Sequence, residues 1–216
     1  MGWYRRNGGW HRLHPRPVIL FGFVPPAPAD PEALVARFPD VRAAIALGNF
    51  VNFVSDALVL ALVLALYRAL RGTSLAPALL GTVLFILGLG VIFTETATQV
   101  AFDPISALYH DPGTTPAEQA TLALLWQATQ GMFNELDTAA LLLLSAGIVV
   151  LGGAMIRAPA FGKAFGGVSV VLGAMAAVAD LVFGITSLVT AILVIPVFIV
   201  LPLLWGWKVY GLSKAA

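Results

Sequence analysis

Carboxylates and amides recur at helical spacing within four apolar stretches of this chain. Asn49, Asn52 and Asp56 are three and four residues apart, so a helix would carry all three on one face. Glu95 and Gln99 share a face with Gly88. Gln127, Gln130 and Asn134 keep the same step and continue towards Asp137 and Thr138, with Glu135 beside them. Asp180 stands in the fourth stretch. Carboxylate and amide oxygens suit protons, hard metal ions and cationic small molecules, and carboxylates removed from water could also serve general acid–base chemistry. The candidate ligand-binding set is Asn52, Asp56, Glu95, Gln99, Gln130, Asn134 and Asp180. The pattern singles out no catalytic residue, no metal-ligand set and no particular cofactor.

The elements that must position these groups are membrane helices. The 216 residues are 59% hydrophobic and 11% charged, with a mean hydropathy of +0.92, against about 45–50% apolar and about 25% charged in soluble domains. That balance excludes an ordinary soluble enzyme, and a net charge of +1 offers no basic field for nucleic acid. Cysteine is absent, which removes disulfides, zinc–thiolate sites and iron–sulfur clusters. The histidines His11, His14 and His110 all lie outside the long apolar runs, too few and too badly placed for membrane di-iron chemistry or bis-histidine haem.

A spanning helix needs about 20 mostly apolar residues, and five stretches meet that length: about 43–70, 75–102, 136–156 within a helical pattern from 115, 163–183 and 185–210. Their Leu- and Ala-rich composition does not alternate as barrel strands do. The fold class is all-α, an integral membrane bundle of five helices, or six with a short N-terminal one. Residues 1–40 form a basic N-terminal segment and 41–212 a helical membrane domain. Turns at 71–74 and 158–162 are short, and spans four and five meet near Gly184. Residues 103–115, with Asp103-Pro104, Asp111-Pro112-Gly113 and Thr115-Pro116, read as a turn-rich loop before a helix capped by Thr115.

Charges orient the spans. Arg68, Arg71, Arg157, Lys163, Lys208 and Lys214 fall on one side, and Asp103, Asp111, Glu118 and Glu135 on the other. The positive-inside rule puts the C-terminus in the cytoplasm of a bacterial inner membrane, with Trp205, Trp207 and Tyr210 as an interfacial belt. Arg5, Arg6, Arg12 and Arg16 make the N-terminus basic on the wrong side. A cleaved signal peptide with Val18–Val24 as its apolar core and Ala27-Pro28-Ala29 as its cleavage site would resolve this, as would a shortened first helix or a misplaced start codon. A tail held on lipid headgroups by Trp3, Tyr4 and Trp10 is the third reading.

With the basic residues marking the inner surface, Asp56 lies about 12 residues from Arg68, roughly 18 Å along the helix, and Asp180 about 17 residues from Lys163. Gly162, Gly166, Gly173 and Gly184 share a stripe with Asp180, and small residues mark close helix contact, so Asp180 should face the bundle. At that depth a charge costs at least about 2.5 kcal/mol and needs a partner, a proton or water. The expectation is a polar pocket open to the outside. A hydrogen-bond network that only fixes packing, with Arg42 or Arg37 neutralising an acid from above, is the plain alternative. His110 with Asp103 and Asp111 could hold a metal in the loop, and Pro196 and Pro202 could hinge or merely bend span five.

Ala65-Leu66-Tyr67-Arg68-Ala69-Leu70-Arg71, leading into an Ala/Leu/Gly-rich span, resembles a bacterial family of small multi-pass membrane proteins, domain of unknown function 4386. Phe133-Asn134-Glu135-Leu136-Asp137, Leu141–Leu144 and Met155-Ile156-Arg157-Ala158-Pro159-Ala160-Phe161-Gly162 are similar to its third quarter. The likeness covers roughly residues 35 to 212. It implies a further N-terminal helix, reduced here to Val18–Val24, and it brings no established activity. The sequence therefore reads as a small membrane protein that binds a ligand in an acidic, amide-lined pocket or serves as an accessory subunit. Its partners would be the lipid bilayer, a second copy or a membrane complex, and not nucleic acid. A proton- or cation-coupled transporter and an intramembrane acid–base enzyme are the alternatives.

Overall fold

The computed structural model describes residues 30–184 and 187–215; the basic segment, with His11, His14 and the signal-peptide reading, lies outside them. The described chain is an all-α bundle, and five of its helical stretches are long and apolar enough to cross a membrane. In order, these are α1 (Pro31–Leu70), α2 (Leu75–Thr98), a 3-10 turn (Gln99–Ala101), α3 (Phe102–Tyr109), α4 (Pro116–Arg157), α5 (Lys163–Phe183), α6 (Leu188–Val194), a π-helical segment (Ile195–Val200) and α7 (Leu201–Ala215).

Local chemistry sets the helix ends. Asp30 accepts the Ala33 N–H at 3.2 Å, and Pro31, which has no N–H to satisfy, opens α1. Thr115 and Glu118 form a capping box at the start of α4: the Thr115 N–H donates to Glu118 Oε2 at 2.8 Å, and the Glu118 N–H donates to Thr115 Oγ1 at 3.4 Å. The loop expected over 103–115 is mostly helix. Asp103 and Pro104 fall in the first turn of α3, where a proline costs no intrahelical hydrogen bond. Only the segment after Tyr109 is a true turn, closed by the Gly113 N–H on Asp111 Oδ1 at 2.8 Å. The helix from Pro31 also runs through the expected segment boundary at residue 40.

α4 is the central helix, clamped between α2 and α5, with α1 against α2 and α4, and α7 against α1. The clamp is made by glycines seven residues apart. Gly81 of α2 lies against Leu151 and Gly88 against Leu144, while Gly166 of α5 lies against Gly152 and Gly173 against Ser145. A seven-residue repeat keeps one seam facing its partner over several turns. The other two glycines of the expected stripe do something different. Gly162 and Gly184 flank α5 with φ of 84° and 77°, a conformation that costs other residues dearly, and neither has a neighbour within 4 Å of where a Cβ would sit.

Two apolar cores result. The larger joins Val63, Leu66, Phe85, Ile148, Leu151 and Trp205 in the half of the bundle nearest Arg68, Arg157 and Lys163. Trp205 leaves the expected interfacial belt: it is fully buried, and its indole N–H donates to Ser169 Oγ at 3.1 Å, which fastens α7 to α5. Trp207 and Tyr210 do remain exposed at that end. The smaller core joins Val35, Phe38, Phe102, Ile105 and Trp126 beyond the other end. There Trp126 meets Phe38 edge-on at 5.0 Å between ring centroids and Phe102 at 4.2 Å. Outward-facing Leu58, Leu87, Val171 and Leu203 give the spans an apolar perimeter suited to lipid.

A Cβ on Gly166 would sit 2.6 Å from both the Gly152 carbonyl oxygen and the Ile156 nitrogen, backbone atoms that cannot step aside. Gly166→Ala should therefore cost about 1–3 kcal/mol, read as a lower unfolding midpoint in detergent. The neighbouring Gly167→Ala, with nothing within 4 Å, should be neutral or stabilising. Equal effects of the two substitutions would refute the clamp.

Candidate functional site: a row of carboxylates between two cores

Continuing the same seven-residue steps brings the acids together. One step beyond Gly81 and Gly88 on α2 is Glu95, and one step back from Leu151 and Leu144 on α4 is Asp137. One step beyond Gly166 and Gly173 on α5 is Asp180, and the matching step from Gly152 and Ser145 reaches Thr138, beside Asp137. The carboxylates are close enough to act on one another as this register requires. The charges that bear on Glu95 are those of Asp137 and then Asp56, and Asp137 in turn feels Asp180. The order Asp56, Glu95, Asp137, Asp180 runs across α1, α2, α4 and α5.

Burial alternates along the row. Glu95 and Asp180 are buried, Asp180 to 2% exposure, whereas Asp56 and Asp137 are half-buried. Both carboxylate oxygens of Asp180, and Oε2 of Glu95, have no hydrogen-bond partner among the described residues. Buried polar atoms are nearly always paired, and leaving one unpaired costs about 1–3 kcal/mol, more when it is charged. Asp180 faces the bundle as its glycine stripe requires.

The amides form a second tier. Asn49 Nδ2 donates to Gln99 Oε1 at 2.7 Å and so ties α1 to the turn after α2, and Gln130 Nε2 donates to Asn134 Oδ1 at 3.2 Å along α4. Asn52, Gln99, Gln130 and Asn134 are all half-buried, whereas Gln127 and Glu135 are exposed. The structure thus joins Asp56, Glu95 and Asp180 of the sequence-derived set through Asp137, which was not in that set. Its signal was present: Asp137 follows Gln130 and Asn134 at helical spacing.

The other candidates resolve into structural roles. Arg42 spends both of its contacts on Asp103, Nε to Oδ1 at 2.8 Å and Nη2 to Oδ2 at 3.0 Å, so it neutralises that surface acid and not the row. The ring nitrogens of His110 lie 2.8 Å from the Ser106 carbonyl and 3.2 Å from the Ala36 carbonyl, which pins α3 to α1. Asp111 serves its turn. The loop metal site is therefore not assembled, and among the described residues no three His, Asp or Glu are grouped to hold one metal ion. That includes Asp56, Glu95, Asp137 and Asp180.

Compared with known protein families, curated proteins and solved structures, the chain finds no match.

The amide bridge can be weighed directly. A double-mutant cycle of Asn49→Ala and Gln99→Ala should give a coupling of about 0.5–1.5 kcal/mol in unfolding free energy, the usual net worth of such a bond. Strictly additive single effects would show that the two side chains act independently.

Proposed function

We propose that this protein binds a cation at the carboxylate row, from the side that carries Asp103, Asp111 and Glu118, and acts as a binding or accessory component of its membrane. The observation that carries the reading is Asp180: a carboxylate with both oxygens buried and unpartnered, within electrostatic reach of Asp137, which in turn bears on Glu95. The bundle also leaves the buried hydroxyls of Ser74, Thr82 and Ser145 unpaired, but an unpaired carboxylate costs more than a hydroxyl, and Asn49 with Gln99 and Ser169 with Trp205 are paired.

Binding is favoured over conduction by what lies on the other side of the row. There the interior is closed by fully buried Leu66, Leu70, Ile148, Leu151, Met155 and Trp205, an apolar plug. Among the described residues, the polar side chains Thr82, Ser145 and Ser169, buried in that half, stand among these apolar groups. In our reading the membrane is a bacterial inner membrane, the plug faces the cytoplasm with the C-terminus, and the row opens outward. Descent from the family of domain of unknown function 4386 belongs to the same proposal and adds no chemistry to it.

The test is ligand-linked stability of the full-length protein in nanodiscs, across protons, alkali and alkaline-earth ions and organic ammonium ions. A bound cation at about 100 times its Kd should add about 2.7 kcal/mol. Asp137→Asn and Asp180→Asn should abolish that gain. If no cation stabilises the protein, or if both variants keep the gain, the site reading fails. For orientation, cytoplasmic reporters fused after residues 72 and 160 should be active and one at 112 silent; the reverse pattern inverts the protein in the bilayer.

A further inference from the structure

One end of the bundle carries positive charge with nothing to balance it. No Asp or Glu occurs in residues 57–94, 138–179 or 181–216, yet these stretches hold Arg68, Arg71, Arg157, Lys163, Lys208 and Lys214. We infer that this end is a docking surface for the headgroups of anionic phospholipids in the leaflet around it. The surface is separate from the carboxylate site, and it works the same way whichever side of the membrane it faces.

Three features carry it. First, packing gathers the six cations. Each lies within two residues of a side chain in the larger core: Arg68 and Arg71 beside Leu70, Arg157 beside Met155, Lys163 beside Phe161, Lys208 beside Val209 and Lys214 beside Leu212. Five of the six are exposed and Lys208 is half-buried. No ion pair among the described residues involves any of them; the Arg42–Asp103 pair belongs to the opposite end. Lys214 instead lies 4.5 Å over the centroid of the Tyr210 ring.

Second, the helix ends add to the same charge. α2 and α5 start here, from Ser74 and Gly162, with no side-chain cap and no acid in the first turn. α1, α4 and α6 start at the other end, where the side chains of Asp30, Thr115 and Ser187 cap them. A helix N-terminus carries roughly half a positive charge and favours anions nearby. Two uncompensated dipole ends therefore join the six side chains.

Third, the cations stand at the rim of the apolar perimeter. Exposed Leu64 is one turn from Arg68, exposed Ile156 precedes Arg157, and exposed Leu204 is one turn from Lys208. Trp207 and Tyr210, 79% and 62% exposed, are the aromatic types that settle at headgroup depth. Long basic side chains can lie along apolar surface and still extend their charged heads to the phosphates. A soluble acidic protein or a nucleic acid would have to reach these groups through the headgroup layer, whereas lipid phosphates already lie at that depth. Clusters of basic residues at the ends of spanning helices draw anionic lipid for this reason.

The experiment measures which lipids the protein keeps. The full-length protein is placed in nanodiscs of mixed phosphatidylcholine and phosphatidylglycerol and extracted in mild detergent, and the retained lipids are counted by mass spectrometry. We expect phosphatidylglycerol to be enriched over its share of the disc by at least about fivefold, the factor that one Lys or Arg near the surface contributes. Combining Arg68→Gln, Arg71→Gln, Arg157→Gln and Lys163→Gln should bring the enrichment close to unity. Combining Arg5→Gln, Arg6→Gln, Arg12→Gln and Arg16→Gln, the same change of charge made elsewhere in the chain, should preserve it. Should the first variant fail to fold, Lys208→Gln with Lys214→Gln takes its place and should lower the enrichment; an unchanged value there overturns the assignment. Equal losses in the two four-residue variants, or no enrichment in the unaltered protein, overturn it as well. Glycerol phosphate in large excess should leave the retained lipid in place, and displacement would make this a site for soluble anions instead.

Discussion

The bundle depends on how closely α2 and α5 approach α4. Gly81 and Gly88 on one side, and Gly166 and Gly173 on the other, let neighbouring backbones come within reach of side-chain stems and carbonyls. In lipid there is no hydrophobic force to push helices together, so dispersion gained at such seams has to hold them. The seven-residue spacing has a second consequence. It fixes the register of three helices at once, and the next rung of each ladder is an acid or its neighbour: Glu95, Asp180, and Asp137 beside Thr138. The contact that stabilises the bundle is the same one that aligns its polar row.

This arrangement places the most costly groups between two apolar regions. Beyond the row lies the aromatic cluster of Phe38, Phe102 and Trp126, where α1 and α4 extend past the point at which α5 ends. On its other side lies the plug around Ile148 and Leu151. At about 1.5 Å per residue, helices of 40 and 42 residues are each about twice as long as a bilayer core requires. The surplus length builds a small cap at one end of the bundle, fastened by the Arg42–Asp103 pair and by His110 against the Ala36 carbonyl. The cap holds these ends of α1 and α4 together.

Much of this was legible in the residues, for a physical reason. Long apolar runs and basic turns obey one-dimensional rules, so the five spans, the start of α5 at Lys163 and the Thr115 cap follow from the chain itself. What escaped depends on three-dimensional neighbours. Trp205 looks interfacial by position, but Ser169 on α5 offers its indole a buried acceptor. Asp103-Pro104 has the chemistry of a turn, which is also the chemistry of a first helical turn, and packing of Phe102 and Ile105 into the cap decides for helix. Gly162 and Gly184 fit the stripe by spacing, yet the helix they would extend ends at both of them. Asp137 was visible on a polar face, but only the register of α4 against both neighbours makes it the hub.

Departures from local rules concentrate at functional or strained sites. Here the seams are tight and the amides Asn49 and Gln99 are paired, while the buried hydroxyls of Ser74, Thr82 and Ser145 and the carboxylates of Glu95 and Asp180 hold unpartnered oxygens. Packing alone gives no reason to keep them, because replacing a buried ionic cluster by apolar residues of similar size is often neutral or stabilising. Each acid is also paid for separately, on its own helix, so a single tolerated accident does not account for the set. What Glu95, Asp137 and Asp180 share is the register of the glycine seams, so the packing that holds α2, α4 and α5 together also fixes where their acids stand.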